Sequence, residues 1–258
     1  KKKTIVIGNW KMHGSVQNNE VFLEELLSTM EDISSGDYEC GIAIPSIYLF
    51  QFSSRSDIGS FHLGAQNVAQ WRDFGAYTGE INAKMLLEFD CKFSIVGHSE
   101  RRKYFGETNE IVATKANHLL DCGIVPLVCV GEDQQEREND AAVEFVTQQV
   151  EQICSLIGPE KIKKCIFAYE PIWAIGSGKV AAESDIKEMH EVLRNFLESF
   201  IDENAAHDIP LLYGGSVSDK NVISIVQTEN VDGVLVGGAS VSMETFGKLL
   251  QNVSGNHQ

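Results

Sequence analysis

Basic residues are scarce in this chain of 258 amino acids. Its 21 Lys and Arg stand against 37 Asp and Glu, a formal charge of −16. A nucleic-acid backbone or an anionic bilayer attracts clustered cations, so neither is expected as a main partner. An anionic small molecule stays open, because main-chain N–H groups and one lysine can reverse the field locally. The six cysteines, Cys40, Cys91, Cys122, Cys129, Cys154 and Cys165, form no C-x-x-C pair and no metal-ligand spacing. They read as reduced, mostly buried thiols, and no metal is expected. No apolar run approaches the roughly 18 residues a membrane span needs. The stretch after Lys1, Lys2 and Lys3 is too short for a secretory leader, so a soluble, cytoplasmic protein is expected. No G-x-G-x-x-G follows the first apolar run, and no Pro-rich, Gly/Ser-rich or single-sign segment marks a second domain, so 1–258 is expected to be a single domain.

What is present is a recurring unit. Short, near-continuously apolar runs rich in β-branched residues occur at 4–8, 40–44, 61–65, 93–96, 124–130, 165–169, 210–213 and 231–236. Runs apolar on both faces suit parallel strands covered by helices, whereas half-solvated strands would alternate. Helical periodicity lies between them. It is clearest over 140–157, where Val143, Val146, Val150, Ile153 and Ile157 form one stripe, and over 184–201, with Ser184 expected as N-cap. A third helix, over 19–30, carries Phe22, Leu26 and Met30. Eight strand-helix units of about 32 residues each predict an α/β fold, an eight-stranded parallel (β/α)8 barrel. An open doubly wound sheet is the alternative.

In such barrels chemistry sits at the C-terminal strand ends. The first run ends in Asn9-Trp10-Lys11, where Lys11 is either a solvated rim residue or a charge aimed at a ligand. The fourth ends in Gly97-His98-Ser99-Glu100-Arg101-Arg102, which sets a histidine beside a carboxylate and two arginines. The sixth ends in Tyr169-Glu170-Pro171, and a carboxylate there among apolar neighbours is a candidate general base with a raised pKa, or else a structural partner of an arginine. The proline, small apolar patch and glycines that follow, up to Gly176 and Gly178, have the composition of a hinged lid. They do not make a nucleotide-phosphate loop, because Trp173 stands where a glycine is needed and Val180 where a Ser or Thr is needed. The last two runs end in Gly214-Gly215-Ser216 and Gly237-Gly238, and paired glycines at two successive strand ends point to a phosphorylated ligand.

Together, Asn9-Trp10-Lys11, Gly97 to Arg102, Ala168 to Gly176, Tyr213 to Ser216 and Gly233 to Ala239 resemble the signature segments of the triosephosphate isomerase family, in order and spacing, over roughly residues 4–252. The resemblance implies interconversion of dihydroxyacetone phosphate and glyceraldehyde 3-phosphate without metal or organic cofactor. It assigns Glu170 as general base, and His98 as the neutral electrophile whose pKa a helix N-terminus lowers. Lys11 becomes the fixed positive charge, and Asn9 a donor to the developing oxyanion. Glu100 would steady Lys11 or His98. Phosphate would rest on the main chain of Gly176, Ser216, Gly237 and Gly238, and closure of 171–181 would exclude water. A homodimer is also implied: the loop 66–80 would dock into a second subunit, with Thr78 buttressing that subunit's Asn9 and Lys11 and Met12 lying under the loop. Ser177 and Val180 depart from the threonines frequent in the family's lid. Cys129 matches a buried structural cysteine. Two competing readings are a phosphate-binding protein of the same fold without catalysis, and an aldolase that forms a Schiff base on a lysine inside a strand.

Overall fold

In the computed structural model, which describes residues 2–33, 38–55, 61–175 and 180–255, the strands close on themselves. They are β1 Thr4–Asn9, β2 Tyr38–Ile44, β3 His62–Ala65, β4 Phe93–Val96, β5 Val125–Val130, β6 Ile166–Tyr169, β7 Leu211–Tyr213 and β8 Gly233–Val236. Each pairs in parallel with its neighbour in sequence, and β8 pairs with β1, for example through Val6 opposite Val234. The open sheet is thereby excluded, and each of the eight apolar runs falls on a strand. The helices are α1 Val16–Asp32, α2 Leu49–Ser53, α3 Ala83–Glu88, α4 Ser99–Phe105, α5 Asn109–Asp121, α6 Gln134–Glu138, α7 Ala142–Ile157, α8 Pro159–Ile162, α9 Glu183–Phe200, α10 Glu203–Asp208, α11 Val222–Gln227 and α12 Met243–Gly255.

The pleat sorts each strand into two cores. Ile7, Phe93, Ile95, Leu127, Ala168, Leu212 and Leu235 fill the barrel. Val6, Val96, Val128, Phe167, Val234 and Val236, which alternate with them, face the helices and join Phe22, Leu26, Val146, Ile153 and Leu193. Both faces are therefore buried, which explains the continuous apolar runs.

Two local expectations need correction. Val143 is exposed, because the buried face of α7 runs through Ala142, Val146, Gln149 and Val150; Gln149 is inside because its Oε1 accepts the Gly131 N–H at 2.9 Å. Ser184 is not an N-cap. The cap is Ala182, whose N–H donates to the Asp185 carboxylate at 3.2 Å, so an acid one turn inside satisfies the helix start.

Candidate active site

The C-terminal strand ends gather the polar residues at one mouth. Asn9 closes β1 and is buried, and its Oδ1 accepts the Lys11 N–H at 3.0 Å. Lys11 itself takes a φ of +55°, a conformation uncommon for a long side chain. Gln66, just past β3, holds it there. Its amide nitrogen donates to the carbonyls of Lys11 at 2.8 Å and Ala43 at 3.2 Å. The Lys11 ammonium donates to Glu100 Oε1 at 2.6 Å, which resolves the partner of that carboxylate.

His98 is the N-cap of α4. Its Nδ1 accepts the Glu100 N–H at 3.2 Å and so carries a lone pair, which places the ring proton on Nε2. Nε2 lies 3.0 Å from Glu170 Oε2. The other Glu170 oxygen accepts the Ser99 N–H at 3.3 Å, and Cys129 lines the same cleft as this carboxylate. The His98 and Glu170 side chains are both almost completely buried. Gly131 allows the approach: a Cβ there would stand 1.7 Å from the Glu170 carbonyl oxygen, and the Glu170 N–H donates to Val130 O at 2.7 Å.

These contacts reverse both expected pKa directions. Burial alone would push the Glu170 carboxyl up. The His98 ring, the Cys129 thiol and the Ser99 N–H outweigh it and hold the carboxyl below its ordinary value. Burial alone would lower His98, but Glu170 and then Glu100 outweigh burial, and the group lies above its ordinary value. Glu170 and His98 are bonded to each other, so each stabilises the charged form of the other. A ligand that takes the Nε2 proton donor removes the largest raising influence on His98. Burial and the N–H at Nδ1 then favour the neutral ring.

Asn9, Lys11, His98 and Glu100 line one cavity of about 500 Å³. Gly237 joins them, since a Cβ there would lie 3.7 Å from Lys11 Cε. It precedes a 3-10 turn, Gly238–Ser240. Gly214 lies against Glu170, a Cβ there falling 3.0 Å from Glu170 Cγ. Ser216 and Gly238 are exposed at the same end, and Gly176 lies outside the described residues. Thr78 stands in the stretch 71–80, every residue of which is exposed.

One group of residues escapes sequence reasoning. Glu132, just past β5, is fully buried, and its Oε1 accepts both the Tyr169 hydroxyl and the Trp173 indole N–H at 2.9 Å. Arg137 lies 3.6 Å from it, stacks over Trp173 and pairs with Asp185 at the start of α9. Both sides of the segment 176–179 are thus tied to the end of β5. The available signal is a carboxylate at a strand end, the rule that finds Glu170, but without a partner in sequence.

The chain matches the sequence profile of the triosephosphate isomerase family over residues 4–253. The chain belongs to the triosephosphate isomerase family. Among curated proteins named triosephosphate isomerase, that of Legionella pneumophila strain Paris is 39% identical over 255 residues, covering 98% of this chain and all of its own. That of Herminiimonas arsenicoxydans is 41% identical over 247 residues, 95% of this chain and 97% of its own. That of Thermus thermophilus is 39% identical over 254 residues, 97% and 98% of the two chains. Family membership and the closed parallel barrel agree, and all six cysteines are free. No helix among the described residues is long and apolar enough to cross a membrane.

Proposed function

We propose that the protein interconverts dihydroxyacetone phosphate and glyceraldehyde 3-phosphate in the cytoplasm, with Glu170 as the base. The observation that carries the residue roles is the Glu170 to His98 contact of 3.0 Å beside a lysine already fixed by Glu100. Substrate inserts where base and imidazole meet. The Glu170 carboxylate takes a proton from the carbon next to the carbonyl, and the C–H electron pair moves to form the enediolate. His98 gives its Nε2 proton to the carbonyl oxygen and takes the proton of the neighbouring hydroxyl in return, so one proton passes between the two oxygens through the ring, and Lys11 and Asn9 balance the developing charge. Glu170, now a carboxylic acid, returns the proton to the adjacent carbon. The phosphate dianion rests on N–H groups around Gly237, Gly238 and Ser216, with Gly176 as a further donor. The acidic excess elsewhere on the molecule opposes this binding only weakly, because screening confines each outer charge to about 8–10 Å. A Schiff-base role for Lys11 fits poorly, because its nitrogen is engaged as an ammonium by Glu100 and lies past the strand end.

The test is turnover of glyceraldehyde 3-phosphate by Glu170→Gln and Glu170→Asp. Each should fold and bind a phosphate analogue while losing on the order of 3–5 kcal/mol of transition-state stabilisation. Turnover of Glu170→Gln at the wild-type rate would remove Glu170 as the base.

The same reading includes a homodimer. The exposed stretch 71–80 carries Trp71, Phe74 and Tyr77, with the Trp71 and Tyr77 rings stacked at 4.4 Å. The cavity beside Lys11 is walled on its outer side by Met12, 94% exposed, and by Tyr104 and Phe105. An apolar projection and an apolar socket on one chain suit a two-fold interface, in which Thr78 of one copy would meet Asn9 and Lys11 of the other. Sedimentation equilibrium should give twice the chain mass at micromolar concentration; a fully active monomer would exclude this arrangement.

A further inference from the structure

The reaction as drawn takes His98 and Glu100 from the segment after β4 and leaves Arg102 without a part. Its guanidinium is nonetheless built into the mouth. Nε donates to the Gly97 carbonyl at 2.8 Å, one terminal nitrogen to Asn109 Oδ1 at 2.8 Å and the other to the Cys129 carbonyl at 3.2 Å. The first and last of these acceptors adjoin the residues that hold the proton-transfer groups. Gly97 precedes His98, and Cys129 lines one cleft with Glu170. Gly97 has a φ of +68°, and a Cβ there would stand 2.9 Å from the guanidinium, so a side chain at this position would displace the arginine.

All three acceptors are neutral, and among the described residues no carboxylate comes within 4.0 Å of Arg102. The other cations nearby are already matched. Lys11 is held by Glu100, and Arg101 and Lys115 both by Glu107. Arg102 and Glu170 both line one cleft of about 140 Å³, together with Ser99, Cys129 and Gly131, and the cleft has no room for the centre of a water molecule. A charge facing another across dry protein is weakly screened. Burial pulls Arg102 down from the ordinary arginine value, and Cys129, Glu170 and Glu107 oppose that pull.

We propose that Arg102 is a positioning residue of the isomerisation. It ties together the strand ends behind His98 and Glu170, and it holds an unneutralised positive charge that favours the carboxylate form of the base. The inference rests on the reading of Glu170 as base. His98, Glu100, Lys11 and the Cys129 thiol face the Glu170 side, and Glu107, Arg101 and Lys115 lie behind Arg102; all are unchanged in the variants that follow.

The experiment is the pH dependence of kcat/KM for wild type, Arg102→Met and Arg102→Lys, with thermal unfolding as a check on folding. The acid limb reports the base in the free enzyme. In Arg102→Met it should move to higher pH by about one unit, a tenfold change in proton concentration, because the carboxylate has lost a favourable charge. Arg102→Lys should keep the limb in place while kcat falls about tenfold, since an ammonium cannot reproduce the guanidinium fork. An unmoved limb in Arg102→Met overturns the proposal, as does a limb in Arg102→Lys displaced as far as that of the methionine variant. If Arg102→Met does not fold, Arg102→Lys decides alone: a limb in place with reduced kcat supports the proposal, and any other result overturns it. Glu170→Gln separates the two layers. If it turns over normally, the base reading fails; if it is inactive and the Arg102 limb stays in place, only the Arg102 inference fails.

Discussion

Two carboxylates at opposite ends of the barrel are held in different ways. Asp232, just before β8, sits at the N-terminal end of the barrel wall, where its oxygens accept the Arg194 guanidinium at 2.9 Å, the Lys2 ammonium at 3.0 Å and the Leu211 N–H at 2.8 Å. Arg194 also donates to the carbonyls of Ala206 and Ile209. Every partner is fixed by the fold, and Lys2, like Arg194, also bonds a main-chain carbonyl, that of His207. Glu170, at the opposite end of the barrel, is held by a histidine and one N–H, and its closest partner is the histidine that the proposed mechanism offers to a substrate carbonyl. A carboxylate that only supports the fold is given fixed partners. The carboxylate proposed as the base has a partner that can leave.

The strongest way to break this comparison is at the fixed end. Arg194→Met leaves Asp232 without its guanidinium and the Ala206 and Ile209 carbonyls without that donor, and should cost about 3–5 kcal/mol of stability, the range for breaking a buried pair. Equilibrium unfolding in urea measures it, with turnover per folded molecule expected to stay within about threefold of wild type. A stable variant with altered kinetics would place Asp232 in the same class as Glu170.

Next in size is a histidine with no releasable partner. His190, on α9, is fully buried; its Nδ1–H donates to the Asn230 carbonyl at 3.1 Å, its Nε2 has no hydrogen-bond partner among the described residues, and its ring stands edge-on to Tyr169. Burial depresses its pKa to about 4. The unfolded chain therefore binds a proton below the ordinary value of 6.5 that the folded chain refuses until about pH 4. Stability from this site is complete above pH 6.5 and falls as the pH drops towards 4, by about 3 kcal/mol in all. His98, drawn up by Glu170, has the opposite sign. Between about pH 6.5 and pH 4.5 the stability of His190→Phe should decline less steeply than that of wild type; parallel declines would show that His190 is protonated in the folded protein.

How much of this is legible in the sequence follows from what each feature depends on. The strands are readable because both faces are buried, as with Val234 and Val236 outward and Leu235 inward. The candidate site is readable because a closed barrel brings every strand end to one mouth, so Asn9, Lys11, His98 and Glu170 need only be recognised as polar residues at run ends. Periodicity finds Val146, Val150, Ile153 and Ile157 on the buried face of α7 but not Gln149, whose burial answers one N–H on Gly131, a contact with no local pattern. Glu132, Gln66 and Arg102 are passed over for the same reason: each acts on a main chain or side chain far away in sequence. The pKa directions of Glu170 and His98 differ from expectation because burial beside Glu170 and the helix N-terminus beside His98 are legible in the sequence, while their mutual bond is not.

The smallest expected effect tests where Glu132 belongs. It shares the mouth with Glu170 but resembles Asp232, since the Tyr169 hydroxyl and the Trp173 indole both donate to it and Arg137 lies near. Burial pushes its pKa up, so each donor that remains matters for keeping it ionised. Its second oxygen has no partner among the described residues, which makes it the less completely satisfied of the two fixed carboxylates. Trp173→Phe keeps an aromatic ring beside Arg137 and removes one donor. If Glu132 is a fixed anchor for the segment that follows Glu170, the variant should lose about 1–2 kcal/mol of stability, the cost of one hydrogen bond to a buried carboxylate, and turnover should change by less than about tenfold. Urea unfolding and steady-state kinetics on the same preparation separate the outcomes. Unchanged stability with a collapse in turnover would mean that the Trp173 to Glu132 bond is meant to open during the reaction, and Glu132 would then join Glu170 among the carboxylates whose partners can leave.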